Sequence, residues 1–175
     1  MKNILKFLFV AVMVFSASFA SGQGRYGKGD VLLSAGIGLG YYYAGGVPLL
    51  LSGEFAVSDV FSIGPYLGYT SYNYGFVGYK YRYTFFDIGV RGSYHFNELF
   101  EISNEKVDVY GGAFLGFLVS KYSGDSFSGY DNPYGGGLRL GIHAGARYFF
   151  SQKVAGYAEL GYGIAPLSLG LTFKL

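Results

Sequence analysis

A serine and two histidines are the residues of this chain best suited to nucleophilic or acid–base chemistry. Ser93 and His95 stand two positions apart, so an extended strand would place them on one face, as nucleophile and general base. Asp87 has the same parity and could orient either histidine. A small lipid hydrolase could use such a set, but the strand pattern turns this face toward an interior away from lipid. We therefore expect no catalytic residue here.

His143, the second histidine, lies beside Arg139 and Arg147 in a strand pattern and is expected to form hydrogen bonds in the same interior. Metal sites draw on several His or Cys side chains, and this chain has two His and no Cys. Asp125, Asp131 and Asn132 offer oxygen ligands for calcium, but they fall in a Ser- and Gly-rich stretch where a solvated loop is expected. We predict no metal site.

Two glycine runs, 36–40 and 161–163, imitate nucleotide-binding fingerprints. A phosphate-binding loop needs a helix to follow it, and strand patterns follow both runs. No cofactor is predicted.

Isolated charges on otherwise apolar or glycine-rich stretches form the second candidate set. Four of them fall at the alternate strand positions that point to the interior, at similar distances from the strand ends: Glu54, Arg91, Arg147 and Glu159. Charges in an interior of low dielectric constant must pair, which predicts a layer of salt bridges, with Arg147 facing Glu159 across a hairpin. Asp87, Arg139 and His143 are further interior polar residues. Such a layer could gate a narrow ion path, but a structural plug is the favoured interpretation.

The elements that would position these side chains are strands, because apolar residues alternate with Gly, Ser, Tyr or charge along most of the chain. Eight alternating segments are predicted, at 31–42, 49–57, 61–70, 85–96, 107–119, 138–148, 154–162 and 168–175. No helical crossover separates them, although a helical turn is predicted at 98–102. Loops are predicted at 72–80 and 121–137. An all-β, eight-stranded antiparallel up-and-down barrel follows, because closure removes the exposed strand edges.

The two strand faces differ in a way that indicates which one is outside. One face is nearly free of charge and in water would be a very large apolar patch. The other is mostly Gly, Ser and Tyr with scattered charges, which suits a narrow interior better than a soluble surface. The chain has 30 Gly, 19 Tyr and 17 Phe and only 14% charged residues. These features predict a transmembrane barrel with aromatic residues near the strand ends.

The first 20 residues read as an export signal. Lys2 and Lys6 flank the start of an apolar run at 7–15, which is too short to span a bilayer, and small residues follow. The 13 basic residues include these two lysines, so without residues 1–20 the chain carries 11 basic and 11 acidic side chains. This balance gives no argument for a nucleic-acid partner. We predict a cleaved segment 1–20, an N-terminal link 21–29 and a barrel domain 30–175.

The last eight residues carry the most specific motif. Ser168, Gly170, Phe173 and Leu175 match the order polar, any, Gly, any, any, aromatic, any, apolar, which resembles the C-terminal assembly signal of outer-membrane β-barrel proteins. With the strand count, residues 30–175 resemble the small eight-stranded outer-membrane barrels, such as opacity proteins and the membrane domain of outer-membrane protein A. The resemblance implies a bacterial outer-membrane location with both termini in the periplasm. It also implies outer-membrane lipid, periplasmic chaperones and the barrel-assembly machinery as partners, and it carries over no active site.

Three functions remain open at this point. The favoured one is a structural or adhesive barrel whose loops 72–80 and 121–137 meet an extracellular ligand, because tyrosine supplies large amphipathic contact area. The tyrosines concerned are Tyr72, Tyr74, Tyr79, Tyr81, Tyr83, Tyr122, Tyr130 and Tyr134. The alternatives are a narrow channel for ions or small solutes and, less favoured, an outer-membrane lipid-modifying enzyme.

Overall fold

The structure is a computed structural model that describes residues 26–40, 46–76, 79–124 and 135–175. The predicted export signal, residues 1–20, lies outside the described residues, as do the calcium candidates Asp125, Asp131 and Asn132. The strands are β1 (Val31–Leu39), β2 (Leu49–Ala56), β3 (Phe61–Phe76), β4 (Tyr79–His95), β5 (Val107–Gly124), β6 (Gly137–Phe149), β7 (Val154–Tyr162) and β8 (Leu167–Lys174). No helix in the described ranges is long and apolar enough to cross a bilayer.

All eight strands pair with their neighbours in chain order, and β8 pairs with β1 to close a barrel. The closing register sets Ala35 opposite Leu171, and the Leu175 N–H donates to the Val31 carbonyl at 2.9 Å. Every pairing is antiparallel. The predicted eight-stranded antiparallel barrel is therefore confirmed. We call the end that holds both Val31 and Lys174 the terminus end, and the opposite end the loop end.

Alternation along each strand separates an apolar outer face from a mixed interior. Leu33, Leu115 and Leu171 point outward and are 43%, 45% and 46% exposed, whereas Leu32 points inward and is completely buried. An outward row of apolar side chains runs along every strand and forms a continuous apolar belt. In a soluble protein these residues would be inside, so the exposed belt is the inverse of a soluble barrel.

Glycines on the interior face make room for large aromatic side chains. A Cβ added at any of four of these glycines would overlap an aromatic ring or its hydroxyl: Gly36 under Tyr157, Gly116 under Tyr66, Gly141 under Phe114 and Gly145 under Tyr110. Small barrels fill their interior with side chains, and pairing a residue without a side chain with a large one keeps that filling dense.

Three strands are longer than the alternation predicted. β3, β4 and β5 contain 16, 17 and 18 residues, while β1, β2, β7 and β8 contain eight or nine. The predicted loop 72–80 is wrong over most of its length, since 72–76 and 79–80 belong to strands, and 121–124 continues β5 rather than opening a loop. Apolar and polar residues alternate only where one face of a strand lies against apolar surroundings. The alternation therefore ends where these strands leave the belt. The tyrosines there still favour extended structure.

Pro65 interrupts the hydrogen-bond ladder between β2 and β3. The register pairs Ser52 with Tyr66 and resumes at Phe55 with Ile63, but the pairs that would join Gly53 to Pro65 and Glu54 to Gly64 are missing. Proline has no N–H to donate to the Gly53 carbonyl, and both missing pairs depend on that one bond. On the opposite side β3 pairs with β4 without interruption. The barrel wall therefore has one unbonded point within its apolar belt.

Replacing Pro65 by valine should restore the missing ladder bond. We expect the free energy of unfolding to rise by about 0.5–1.5 kcal/mol, the net value of one backbone hydrogen bond. Urea titration of the barrel in lipid vesicles measures the change. A free energy of unfolding equal to or below that of the unmodified barrel would contradict the assignment.

Candidate functional site in the barrel interior

Five charged side chains from five different strands meet in the half of the barrel that is nearer the terminus end. They are Glu54 on β2, Arg91 on β4, Asp108 on β5, Arg147 on β6 and Glu159 on β7. Glu54, Asp108 and Arg147 are almost completely shielded from solvent. We call these five residues the charge layer. The structure brings together all four charges selected from the sequence and adds Asp108.

Arg147 lies at the centre of the charge layer. Its guanidinium donates to Asp108 Oδ2 at 2.9 Å and to Glu54 Oε1, and its Cζ lies 3.9 Å from the centre of the Tyr110 ring. One arginine thus contacts two carboxylates from strands on different sides of the barrel, while a ring face covers its plane. Because Glu54 lies on β2 and Arg147 on β6, their contact ties together two strands that are not neighbours.

Arg91 and Glu159 form the second ion pair of the charge layer. Arg91 Nη2 lies 2.6 Å from Glu159 Oε2, and Arg91 Nε lies 3.9 Å from Glu54 Oε1. The Tyr110 hydroxyl also donates to Glu159, at 3.1 Å. The expected pairing of Arg147 with Glu159 is wrong, because the β6–β7 register sets Tyr157 opposite Arg147 and Gly145 opposite Glu159.

Serine and histidine side chains complete the network around Glu54. Ser62 and Ser93 both donate to Glu54 Oε2, at 3.0 and 2.7 Å. Ser93 also lies 3.0 Å from Nε2 of His143, not of His95. Two hydroxyl donors and the nearby guanidiniums satisfy a carboxylate that would otherwise be strongly destabilising in this interior.

His95 takes part in a different arrangement from the one the sequence suggested. Its Nδ1 lies 2.7 Å from Asp108 and its Nε2 lies 3.0 Å from Ser62, so the order is carboxylate, imidazole, hydroxyl. This order resembles a nucleophilic triad. However, Ser62 has no exposed surface, so no substrate atom reaches its hydroxyl in this arrangement. The geometry supports a structural role.

Asp87 orients neither histidine. It accepts a hydrogen bond of 2.6 Å from the Tyr66 hydroxyl, and its Oδ2 lies 3.8 Å from Arg139 Nε. Arg139 also donates to the Gly163 carbonyl in the β7–β8 turn. Asp87 precedes Arg91 on β4, so this group forms a second polar level nearer the loop end.

Tyr26, in the predicted N-terminal link, closes the terminus end of the interior. Its ring stacks on His95 with a centroid distance of 3.5 Å and an interplanar angle of 10°, and its hydroxyl donates to the Ser58 carbonyl at 3.0 Å. The following backbone is held by bonds from Lys28 N to Asp59 and from Gly29 N to the Ala56 carbonyl. Burial raises the pKa of the Tyr26 hydroxyl above its ordinary value, so it stays a neutral donor. Residues 26–30 therefore act as a cap.

Removing the ring of Tyr26 should loosen this cap. We expect Tyr26→Ala to lower the free energy of unfolding by about 1–3 kcal/mol, from one lost hydrogen bond and one lost aromatic contact. It should also speed the reaction of His95 with diethylpyrocarbonate, which mass spectrometry follows directly. Lys28→Ala is the control, because only the backbone of Lys28 takes part in the bond to Asp59. An unchanged His95 reaction rate would contradict the capping role.

The sequence contained a usable signal for Asp108 but none for Tyr26. Asp108 falls at an inward-pointing position of a clear strand pattern. It therefore meets the same criterion as the four charges selected from the sequence. Tyr26 lies before the first alternating segment, where no periodicity predicts contacts.

A small cavity separates the charge layer from the loop end. Its volume is about 40 Å³, and Arg91, His143 and Glu159 are among the residues that line it. That volume is room for a few water molecules at roughly 10–15 Å³ each. His143 Nδ1 and Arg91 Nε, two buried nitrogens, have no hydrogen-bond partner among the described residues. Within the same part of the chain no cluster of His, Asp or Glu is arranged to hold a metal ion.

Comparison with known proteins identifies the fold. No family model and no curated protein sequence matches the chain. Among solved structures, the outer membrane protein OprG from Pseudomonas aeruginosa is similar with a TM-score of 0.67 and 11% identity over 88% of this chain and 99% of that chain. The N-terminal β-barrel domain of OprF from the same organism is similar with a TM-score of 0.50 and 17% identity over 85% and 99%.

A third neighbour is Ail, the attachment invasion locus protein of Yersinia pestis, solved in complex with the heparin analogue sucrose octasulfate. It is similar with a TM-score of 0.51 and 15% identity over 84% of this chain and 95% of that chain. At these identities the likeness shows the fold alone. The chain therefore has the fold of the small eight-stranded outer-membrane β-barrels, which confirms the resemblance drawn from its strands and terminal motif.

Proposed function

We propose that this chain is a bacterial outer-membrane β-barrel protein with a structural or adhesive role and a lumen closed by its charge layer. The observation that carries the membrane location is a sharp boundary on the outer face of β3, β4 and β5. Tyr69, Phe86 and Val119 form one outward row across the three strands, and the next outward row is Ser71, Thr84 and Lys121. A change from apolar to polar within one row is the pattern of a strand leaving a bilayer.

The orientation follows from the unequal ends. Membrane barrels keep short turns and termini in the periplasm and longer extensions outside. The cap, Val31 and Lys174 lie at the terminus end, while β3, β4 and β5 extend beyond the belt at the loop end. The terminus end is accordingly periplasmic. Export, the assembly signal at Ser168, Gly170, Phe173 and Leu175, and handling by chaperones and the assembly machinery belong to the same proposal.

The extended part of β3, β4 and β5, which we call the projecting sheet, supports the adhesive role. Beyond Tyr69 and Leu118 the three strands pair only with one another within the described ranges. Tyr72, Tyr83 and Tyr122 are aligned across it, and the Tyr83 and Tyr122 rings are 5.2 Å apart. An aromatic row on a sheet outside the membrane offers contact area to a sugar or protein surface.

Closure of the lumen supports a role that needs no transport. Side chains of the charge layer and Tyr110 contact one another across the interior, and the cap covers the terminus end. Ions cannot pass such a layer without breaking its ion pairs, and eight-stranded barrels have little spare interior.

Conductance in planar lipid bilayers tests the proposal. The purified barrel should insert and show no steady openings in symmetric salt. Arg147→Ala shortens the side chain at the centre of the charge layer and serves as the comparison variant. Steady openings of the unmodified protein, enlarged or abolished by Arg147→Ala, would replace the structural role by transport.

A narrow channel for ions or small solutes is the second candidate, and the cavity above Arg91 and Glu159 favours it. The cavity can hold water, and the ion pair between Arg91 and Glu159 lies between it and the terminus end. A second measurement separates the two functions. Only a channel would admit small solutes into lipid vesicles that contain the purified barrel.

A further inference from the structure

The connection between β4 and β5 carries an unusual pair of exposed apolar residues. Leu99 and Phe100, adjacent in the chain, are 63% and 59% exposed. They lie in the turn at 97–101 at the terminus end of the barrel, outside any strand. Single exposed apolar residues need no explanation, but two together at the tip of a turn, next to an apolar belt, call for one.

The apolar surface runs without a break from the belt to this turn. The Tyr94 and Phe96 rings are 5.1 Å apart, and the Phe96 and Phe100 rings are stacked at 5.3 Å with an interplanar angle of 16°. Tyr94 points outward from β4 within the belt. Three aromatic rings therefore lead step by step from the outer wall of the barrel to the tip of the turn. Phe100 is placed at the outer perimeter rather than under the barrel mouth.

The turn is held in position by hydrogen bonds. Phe100 N donates to the Phe96 carbonyl and Ile102 N to the Asn97 carbonyl, both at 2.9 Å. The Asn97 side chain accepts from Val109 N at 2.8 Å and donates to the Val107 carbonyl, which fastens the turn to the start of β5. A fixed turn presents Phe100 at a constant depth relative to the belt and does so without an ordering cost on binding.

Acidic residues flank the apolar pair. Glu98 and Glu101 lie on either side of it, and Glu105 and Lys106 close the connection, all four exposed. Exposed charges beside an exposed aromatic residue fit a turn at the border between acyl chains and water, where aromatic side chains are enriched and charged groups stay in water.

We propose that Leu99 and Phe100 insert into the bilayer leaflet at the terminus end, anchoring the barrel at the level of the lipid headgroups. The partner is phospholipid, and continuity with the belt argues for it over a protein. This inference rests on the proposed function, since it requires the belt itself to lie in lipid. The turn then fixes the height of the barrel, with the aromatic residues at the border between acyl chains and water.

Single-tryptophan variants test the anchor, because the chain contains no tryptophan. Phe100→Trp reports on the turn, Leu115→Trp on the middle of the belt, and Ser103→Trp on an exposed position of the same connection. Each variant is refolded into phosphatidylcholine vesicles with doxyl quenchers at shallow or deep positions, and a gel-shift assay selects folded protein. We expect blue-shifted emission from Phe100→Trp with stronger quenching by shallow than by deep doxyl groups. Leu115→Trp should be quenched best by deep groups, and Ser103→Trp should stay red-shifted and unquenched.

The belt variant separates failure of the anchor from failure of the membrane location. If Leu115→Trp is quenched while Phe100→Trp behaves like Ser103→Trp, the turn lies in water and the anchor is wrong, although the barrel still spans the bilayer. If Leu115→Trp also escapes quenching, the proposed membrane location fails together with the anchor.

Discussion

Replacing Arg147 by methionine is expected to lower the free energy of unfolding by about 3–5 kcal/mol, the usual effect of removing one partner from a buried ion pair. The substitution keeps most of the side-chain volume but leaves Glu54 and Asp108 without the cation that contacts both. Ser62, Ser93 and His95 still donate to these carboxylates, so the loss is that of charge compensation. Urea titration in lipid vesicles, followed by tyrosine fluorescence and by gel shift, measures it.

Two further variants identify the cause of this loss. Arg82→Met changes an exposed arginine whose side chain contacts Asn73, and it should alter stability by no more than about 0.5 kcal/mol. Glu54→Gln in the Arg147→Met background removes one of the uncompensated charges and should restore part of the loss, a coupling that a double-mutant cycle quantifies. If the two arginine substitutions have equal effects, the charge layer does not stabilise the barrel.

Replacing Gly112 by alanine is expected to have the second largest effect. A Cβ at this position would overlap the Gly92 carbonyl oxygen and lie 2.9 Å from Ser93 Cα, both in the backbone of β4. A flexible side chain could move away, but a paired strand cannot, so the β4–β5 pairing must distort. We expect a cost at or above the upper end of about 1–3 kcal/mol, the range for overpacked sites, and a lower yield of folded barrel in the gel-shift assay.

Gly137→Ala is the matched control for this glycine. Gly137 begins β6, and a Cβ added there meets no atom within 4 Å. Alanine should therefore leave stability unchanged or raise it slightly, since it restricts the unfolded chain. A comparable loss at both positions would mean that glycine matters here through backbone freedom and not through close approach of the strands.

The fold could be predicted from the sequence because the side-chain period of a strand is local. Leu33 and Leu32 differ by one position and point to opposite sides of the wall, and the alternation shows this without knowledge of the partner strands. Counting such segments and noting that the last one is apolar was enough to predict closure. Strand ends were less predictable, as at 72–76, because no apolar neighbour marks them outside the belt.

The contacts of the charge layer could be predicted only in part. Parity placed Glu54, Arg91, Arg147 and Glu159 inside, but which charges meet depends on the tilt and stagger of the strands around the barrel. Glu54 and Arg147 are separated by three intervening strands, and no hairpin argument connects them. Arg147 and Glu159, adjacent across one hairpin, are offset in register and have different partners.

The site that holds Tyr26 is formed by Ser58 in the β2–β3 turn and by His95 at the end of β4. It does not exist until these segments have come together. Residues 26–30 can therefore take up their position only after β2, β3 and β4 have come together. Until then the polar groups of the interior remain open to water at the terminus end.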